Sequence, residues 1–146
     1  ANALLDRAAD VPAGAPADTA AALLAEARGV VDAVSRPAQA EARHRGLVTR
    51  IDSMTRAADL PQRDTLQARI AADPADLQAR LDLANLLIAR ADYEPALEQL
   101  LEIASRDRGF GDDIGRKTIL ALFELMSDRP GQVASYRRRL ASVLNR

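Results

Sequence analysis

Residues 73 to 108 read Asp73-Pro-Ala-Asp-Leu-Gln-Ala-Arg80-Leu-Asp-Leu-Ala-Asn-Leu-Leu-Ile-Ala-Arg90-Ala-Asp-Tyr-Glu-Pro-Ala-Leu-Glu-Gln-Leu100-Leu-Glu-Ile-Ala-Ser-Arg-Asp-Arg108. Two helices and the turn between them are encoded here. Asp73 is a good N-cap, and Pro74 stands where a first helical turn has no use for an N–H, so a helix is predicted from that point. Its apolar positions are Leu77, Leu81, Ala84, Leu87 and Ile88, with Leu83 and Leu86 widening the stripe. Such a width suits a helix packed between neighbours rather than against one partner. Ala91-Asp92-Tyr93-Glu94-Pro95 breaks the helix and opens a second, whose Ala96, Leu97, Leu100, Leu101 and Ala104 share an inner face.

The same reading extends outward in both directions. Upstream, Asp18 or Thr19 can cap a helix carrying Leu23, Leu24, Val30, Val31 and Val34, interrupted by Gly29. Pro37 opens the next, which runs to about residue 58 through Leu47, Val48, Ile51 and Met54, and a short helix with Leu66 and Ile70 spans about 61 to 72. Downstream, residues 106 to 111 form a turn with two glycines, and a helix over about 112 to 127 carries Ile114, Ile119, Leu122, Phe123 and Met126. Pro130-Gly131 ends that region, and the last helix carries Val133, Tyr136, Leu140, Val143 and Leu144 at spacings of three and four. About seven helices joined by short turns predict an all-α helical-hairpin array, an α-α superhelix spanning residues 18 to 146. Within it, 18–72 is the less regular part, 73–108 the best-formed unit and 112–146 a C-terminal helical pair. Residues 1–17, with Pro12, Gly14 and Pro16 among small side chains, read as a linker or loosely held lead-in.

Composition agrees and excludes much else. The 146 residues include 31 Ala and 20 Leu but only 3% aromatics, a helix-forming mixture. There is no cysteine, so the chain holds no disulfide, thiol nucleophile or Cys zinc site. With His44 as the one histidine, neither a His-rich metal site nor a conventional catalytic triad is in prospect. No run of about 18 apolar residues offers a membrane span, and no basic start followed by an apolar stretch offers an export signal. The expectation is a cytoplasmic, non-enzymatic protein that needs no cofactor and binds no metal, nucleic acid or membrane.

A period of about 34 residues built as helix-turn-helix is the tetratricopeptide signature, with small residues where the two helices of a unit cross. Residues 77 to 108 resemble it. Leu83-Ala84 falls where that family has Leu-Gly, Ala91-Asp92-Tyr93 stands for its Gly-Asp-Tyr turn, and Ala96 takes the small crossing position. The departures are Arg80 for Trp, Leu87 for an aromatic, Ile103 for Ala and Arg108 for Pro. A longer series of strings, Ala72 to Ala84, Tyr93 to Ile103, Arg106-Asp-Arg-Gly-Phe110, Arg116-Lys-Thr118, Leu122-Phe-Glu-Leu125 and Tyr136-Arg-Arg-Arg-Leu140-Ala-Ser142, is similar to the C-terminal tetratricopeptide domain of the bacterial chaperedoxin family. The resemblance covers about residues 62 to 146. It implies a thioredoxin-like co-chaperonin, a holdase that binds unfolding clients and hands them to the chaperonin GroEL, with a thioredoxin-like domain lying upstream of Ala1. In that family the last helix makes the chaperonin contact, which implies a partner-binding role for Tyr136, Arg137, Arg138, Arg139, Leu140, Val143 and Leu144.

The charge pattern bears on the same helix. Beyond Asp128 there is no acidic side chain, and Arg129, Arg137, Arg138, Arg139 and Arg146 leave residues 1–128 with 15 basic against 21 acidic groups. A basic amphipathic helix suits an acidic protein surface; the plainer reading is that the apolar stripe closes the end of the array. Three consecutive arginines without interleaved aromatics are poor nucleic-acid binders. On the concave face, Arg80, Asp82 and Asn85 are expected to be exposed and to grip an extended client, or simply to be solvated. His44, with Glu41 as nearest carboxylate, reads as a solvated surface histidine, and Asp112-Asp113 as a helix cap. Gly109-Phe-Gly111 lacks the strand and third glycine of a phosphate loop. A generic tetratricopeptide scaffold or a homodimerisation module is the alternative function.

Overall fold

A computed structural model describes residues 5–6, 17–33 and 38–146. Seven helices are defined among them: α1 (Ala17–Ala33), α2 (Ala38–Ala57), α3 (Arg63–Ala72), α4 (Leu77–Ala89), α5 (Tyr93–Arg106), α6 (Ile114–Leu125) and α7 (Pro130–Leu144). The architecture is all-α, as the periodicity predicts, and the helical-hairpin plan is clearest at α4–α5. Val34 and Pro37, which the sequence places at the α1–α2 boundary, lie outside the described residues.

The start of α4 differs from the sequence expectation. Asp73 closes α3 rather than opening α4: its own N–H bonds the Arg69 carbonyl, and its carboxylate accepts from the Ala75 N–H at 3.0 Å. The true N-cap is Asp76, whose carboxylate accepts from the Ala79 N–H at 3.0 Å and is held by Arg69 of α3. That backbone hydrogen bond to Ala79, ahead of the Arg69 contact, holds the Asp76 carboxyl below its usual range. Pro74 therefore lies in a tight turn between two helices. Pro130 differs in the opposite sense, since it occupies the first turn of α7 instead of ending the preceding region.

The α4–α5 turn closes with a pattern set by backbone hydrogen bonds. The Asp92 N–H reaches back to Leu87 O and the Ala91 N–H to Ile88 O, the two bonds that satisfy the last carbonyls of a helix when the chain turns left-handed. Ala91 accordingly has φ 61°, a conformation glycine adopts without strain and alanine does not. Gly111, Asp112 and Asp113 are left-handed as well, carrying the chain from α5 into α6.

Two apolar cores follow. The larger gathers Leu66 of α3, Leu83, Leu87 and Ile88 of α4, Leu97, Leu100 and Ile103 of α5, Ile119, Leu122 and Phe123 of α6, and Val133 and Leu140 of α7. Ala96 is fully buried at the crossing of α4 and α5, as its small size predicts. Gly115 serves the same end for α5 and α6: a Cβ there would stand 3.2 Å from the Leu100 carbonyl oxygen, so the glycine is what lets the helices approach. The smaller core joins Ala27 of α1, Ile51 and Met54 of α2, Ala89 at the end of α4, and Leu5. Leu5 is fully buried and Asp6 pairs with Arg50 at 3.0 Å, so the expected loose lead-in is anchored at that point.

The order of packing is not that of a simple stack. Adjacent helices pair as α1 with α2, α3 with α4, α4 with α5 and α5 with α6, but α2 also lies against both α4 and α6, and α7 lies chiefly on α5. Helices α2, α4, α5 and α6 thus form a closed ring of contacts, with α2 intervening between the first helices of the two C-terminal units.

Candidate partner-binding surfaces

The basic helix α7 is joined to α5 through Glu98. The Tyr136 hydroxyl donates to Glu98 Oε1 at 3.0 Å, and Arg139 donates to both carboxylate oxygens, at 2.5 and 2.8 Å. The Arg139 hydrogen bonds, with lesser help from Tyr136, hold the Glu98 carboxyl below its usual range, while burial, then Glu98, raises the Tyr136 hydroxyl. Leu140 is buried, and Val143 and Leu144 are half-buried against the main core. Arg137 sits over the Phe123 ring, 4.9 Å from its centroid. Of the seven residues that the sequence nominates on α7, Tyr136, Leu140, Val143 and Leu144 are at least partly buried, while the three arginines are exposed, Arg137 and Arg139 still reaching Phe123 and Glu98. Arg108, in place of the family's closing proline, donates to the carbonyls of Val143 and Leu144 and so caps the end of α7.

The three residues proposed for the concave face behave differently from one another. Arg80 is buried, not exposed: its Nε donates to the Pro74 carbonyl at 2.9 Å and its Nη1 to Gln99 Oε1 of α5 at 2.8 Å. A long side chain that bridges the two helices fills the slot where the family has tryptophan, with its stem among apolar neighbours and its head satisfied. Asp82 is half-buried and accepts from Gln78, one turn earlier on the same helix. Asn85 is half-buried because α2 covers it, and its side-chain oxygen accepts from the Ser53 hydroxyl at 2.9 Å.

Other expectations resolve locally. His44 is half-buried on α2 rather than solvated. Asp112 and Asp113 do not cap α6 through their side chains; they pair with Lys117 at 3.1 Å and with Arg116 at 2.7 Å. Those two basic residues of the Arg-Lys-Thr string therefore fix the α5–α6 turn. Among the described residues no group of three or more potential metal ligands converges, and no helix is long and apolar enough to cross a membrane.

Four residues of consequence escape a local reading: Gly46, Arg50, Ser53 and Glu98. A glycine inside a helix costs about 1 kcal/mol against alanine, and that cost was the available signal for Gly46. Its missing side chain admits α6, for a Cβ there would stand 3.0 Å from the Ala121 carbonyl oxygen and 3.1 Å from the Leu125 side chain.

No curated protein and no solved structure matches the chain. A family model does: residues 56–145, which take in the end of α2, all of α3 to α6 and α7, match the tetratricopeptide repeat. With the hairpin α4–α5, the small crossing residue Ala96 and the left-handed turn at Ala91 already in place, that match over well more than half of the sequence shows that the chain belongs to the tetratricopeptide-repeat family.

Proposed function

We propose that this chain is the protein-binding domain of a thioredoxin-like co-chaperonin, a cytoplasmic holdase that receives unfolding clients and docks on the chaperonin GroEL. Tetratricopeptide domains act as protein–protein interaction scaffolds, and nothing in the side-chain chemistry described above calls for catalysis. The finer assignment rests on the run of strings shared with the chaperedoxin family over residues 62 to 146. The observation that supports it best is the placement of α7. Glu98 and Leu140 fix that helix on α5, while Arg129 and Arg138 stay exposed on a segment without acidic side chains, in a protein that is otherwise acidic. Exposed arginines at the start of and along an immobilised helix are suited to an acidic partner surface at little ordering cost.

The test is capture of GroEL by the purified chain. Removing residues 134–146 is a poor probe, because it strips Leu140 and Arg139 from the fold. The double substitution Arg129→Glu, Arg138→Glu spares the core; it is expected to lower capture at least tenfold at unchanged melting temperature. Equal capture by the variant and the parent would sink the assignment of this contact. The alternative of a scaffold or homodimerisation module draws on Leu120, which is 37% exposed on the outer side of α6.

A further inference from the structure

We propose that the α1–α2 hairpin is a built-in occupant of a helix-binding groove between α4 and α6, and that the partner this groove takes is an amphipathic helix presenting a small and polar face like that of α2 but without its unsatisfied arginine. The inference rests on the protein-binding reading of the family and not on the chaperonin assignment. Three observations carry it. First, α4 and α6 are the leading helices of successive units, the positions that line the concave surface by which repeat arrays bind partners. Here α2 lies against both of them.

Second, the face of α2 turned to the groove is small or polar. Gly46, Arg50 and Ser53 follow one another at spacings of four and three, so they share a side of the helix. Gly46 meets Ala121 and Leu125 of α6, and Ser53 bonds Asn85 of α4. Arg50 is 95% buried, yet its Nε has no hydrogen-bond partner, and its ion-pair partner Asp6 is 64% exposed. This contact gains little from apolar burial and leaves a buried donor unmet, so α2 is held weakly where a better-matched helix could be held well.

Third, the apolar side of α2 packs chiefly against α1. Ile51 and Met54 gather with Ala27, Leu23 and Leu24 of α1 and with Leu5, α4 adds the small Ala89, and the main core is left to α3–α7. The hairpin can therefore lift away with most of its own core intact. A competing helix would place glycine or alanine against Ala121, offer a hydrogen-bond donor to Asn85, and bring no buried arginine.

The test uses the full chain and a fluorescein-labelled synthetic peptide of residues 38–57. Gly46→Gln sets a side chain against the Ala121 carbonyl and opens the groove. A Gly46→Cys, Glu124→Cys pair locks it: an ideal Cβ at position 46 stands 3.3 Å from the Glu124 Cβ, close to the roughly 3.5–4.5 Å of a disulfide, and the chain has no other cysteine to mispair. Hydrogen exchange in Gly46→Gln should rise at least tenfold over residues 47–57 and stay unchanged over 83–104. The opened variant should bind the peptide at least tenfold more tightly than the parent, and the oxidised pair should bind none until reduced. Equal loss of protection in both segments, or equal peptide affinity in opened and locked forms, overturns the proposal. A chain that fails to capture GroEL alters neither readout, so the two readings fail separately.

Discussion

Replacing Ala91 with glycine should stabilise the protein, although it removes a side chain and touches no core residue. Ala91 holds φ 61° because the Asp92 N–H must reach Leu87 and its own N–H must reach Ile88 to satisfy the end of α4. An L-residue in that conformation is strained by about 1–2 kcal/mol. Glycine removes the strain but is freer in the unfolded chain, which returns about 0.4–1 kcal/mol. The half-buried methyl group adds a small loss, so the net gain centres on about 0.5–1 kcal/mol. At an unfolding entropy near 2.1 cal/mol/K per residue, 146 residues give about 0.3 kcal/mol/K, and the melting temperature should rise by about 2–3 °C. Calorimetry and urea titration of Ala91→Gly beside the parent measure it, with an unchanged m-value. Asp113→Gly is the control: Asp113 is also left-handed, at φ 64°, but aspartate tolerates that region and here also pairs with Arg116, so no gain is expected. A neutral or destabilised Ala91→Gly, or an equal gain at Asp113, would refute the argument from backbone strain.

Two further outcomes concern α7. The Glu98 carboxyl is held below its ordinary 4.5 chiefly by Arg139; its contribution is therefore complete above about 4.5 and declines as pH falls through the lower folded value. Glu98→Gln should cost no more than about 1 kcal/mol at pH 7, because the pair is partly solvated, and should flatten the acid limb of stability against pH; a parallel acid limb contradicts the latch. Leu140→Ala, at a position 6% exposed, should cost about 2–3 kcal/mol in urea unfolding, and a loss under 1 kcal/mol would mean that α7 is not seated on the main core.

Much of the fold is legible from spacing alone because apolar period and turn chemistry are local. The faces of α5 and α6, the small residue at Ala96 and the break at Ala91 are all visible in the sequence. What is not legible depends on partners distant in the chain. Asp73 and Asp76 are equally good caps on paper, and Arg69, gripping the second from α3, belongs to the tertiary structure that a local reading omits. Arg80 reads as a surface residue until Gln99 and the Pro74 carbonyl are seen to receive it. The stripe of α7 was compatible with docking outward or packing inward, and Glu98, one helix earlier, joins it to α5. Above all, nothing in a repeat period places α2 across two later helices; only Gly46, out of place in a helix, hints at a close approach.

The position of α2 also bears on the order in which the chain can be made. A stack of repeats grows by adding each unit to the one before it, and any stretch can start the process. Here Gly46 waits for Ala121, 75 residues further along, so the ring cannot close until α6 has been made. Closing a loop of that length carries an entropic penalty that nearest-neighbour stacking avoids, and it slows folding. A family noted for local, modular assembly has in this member a contact that joins helices far apart in the chain.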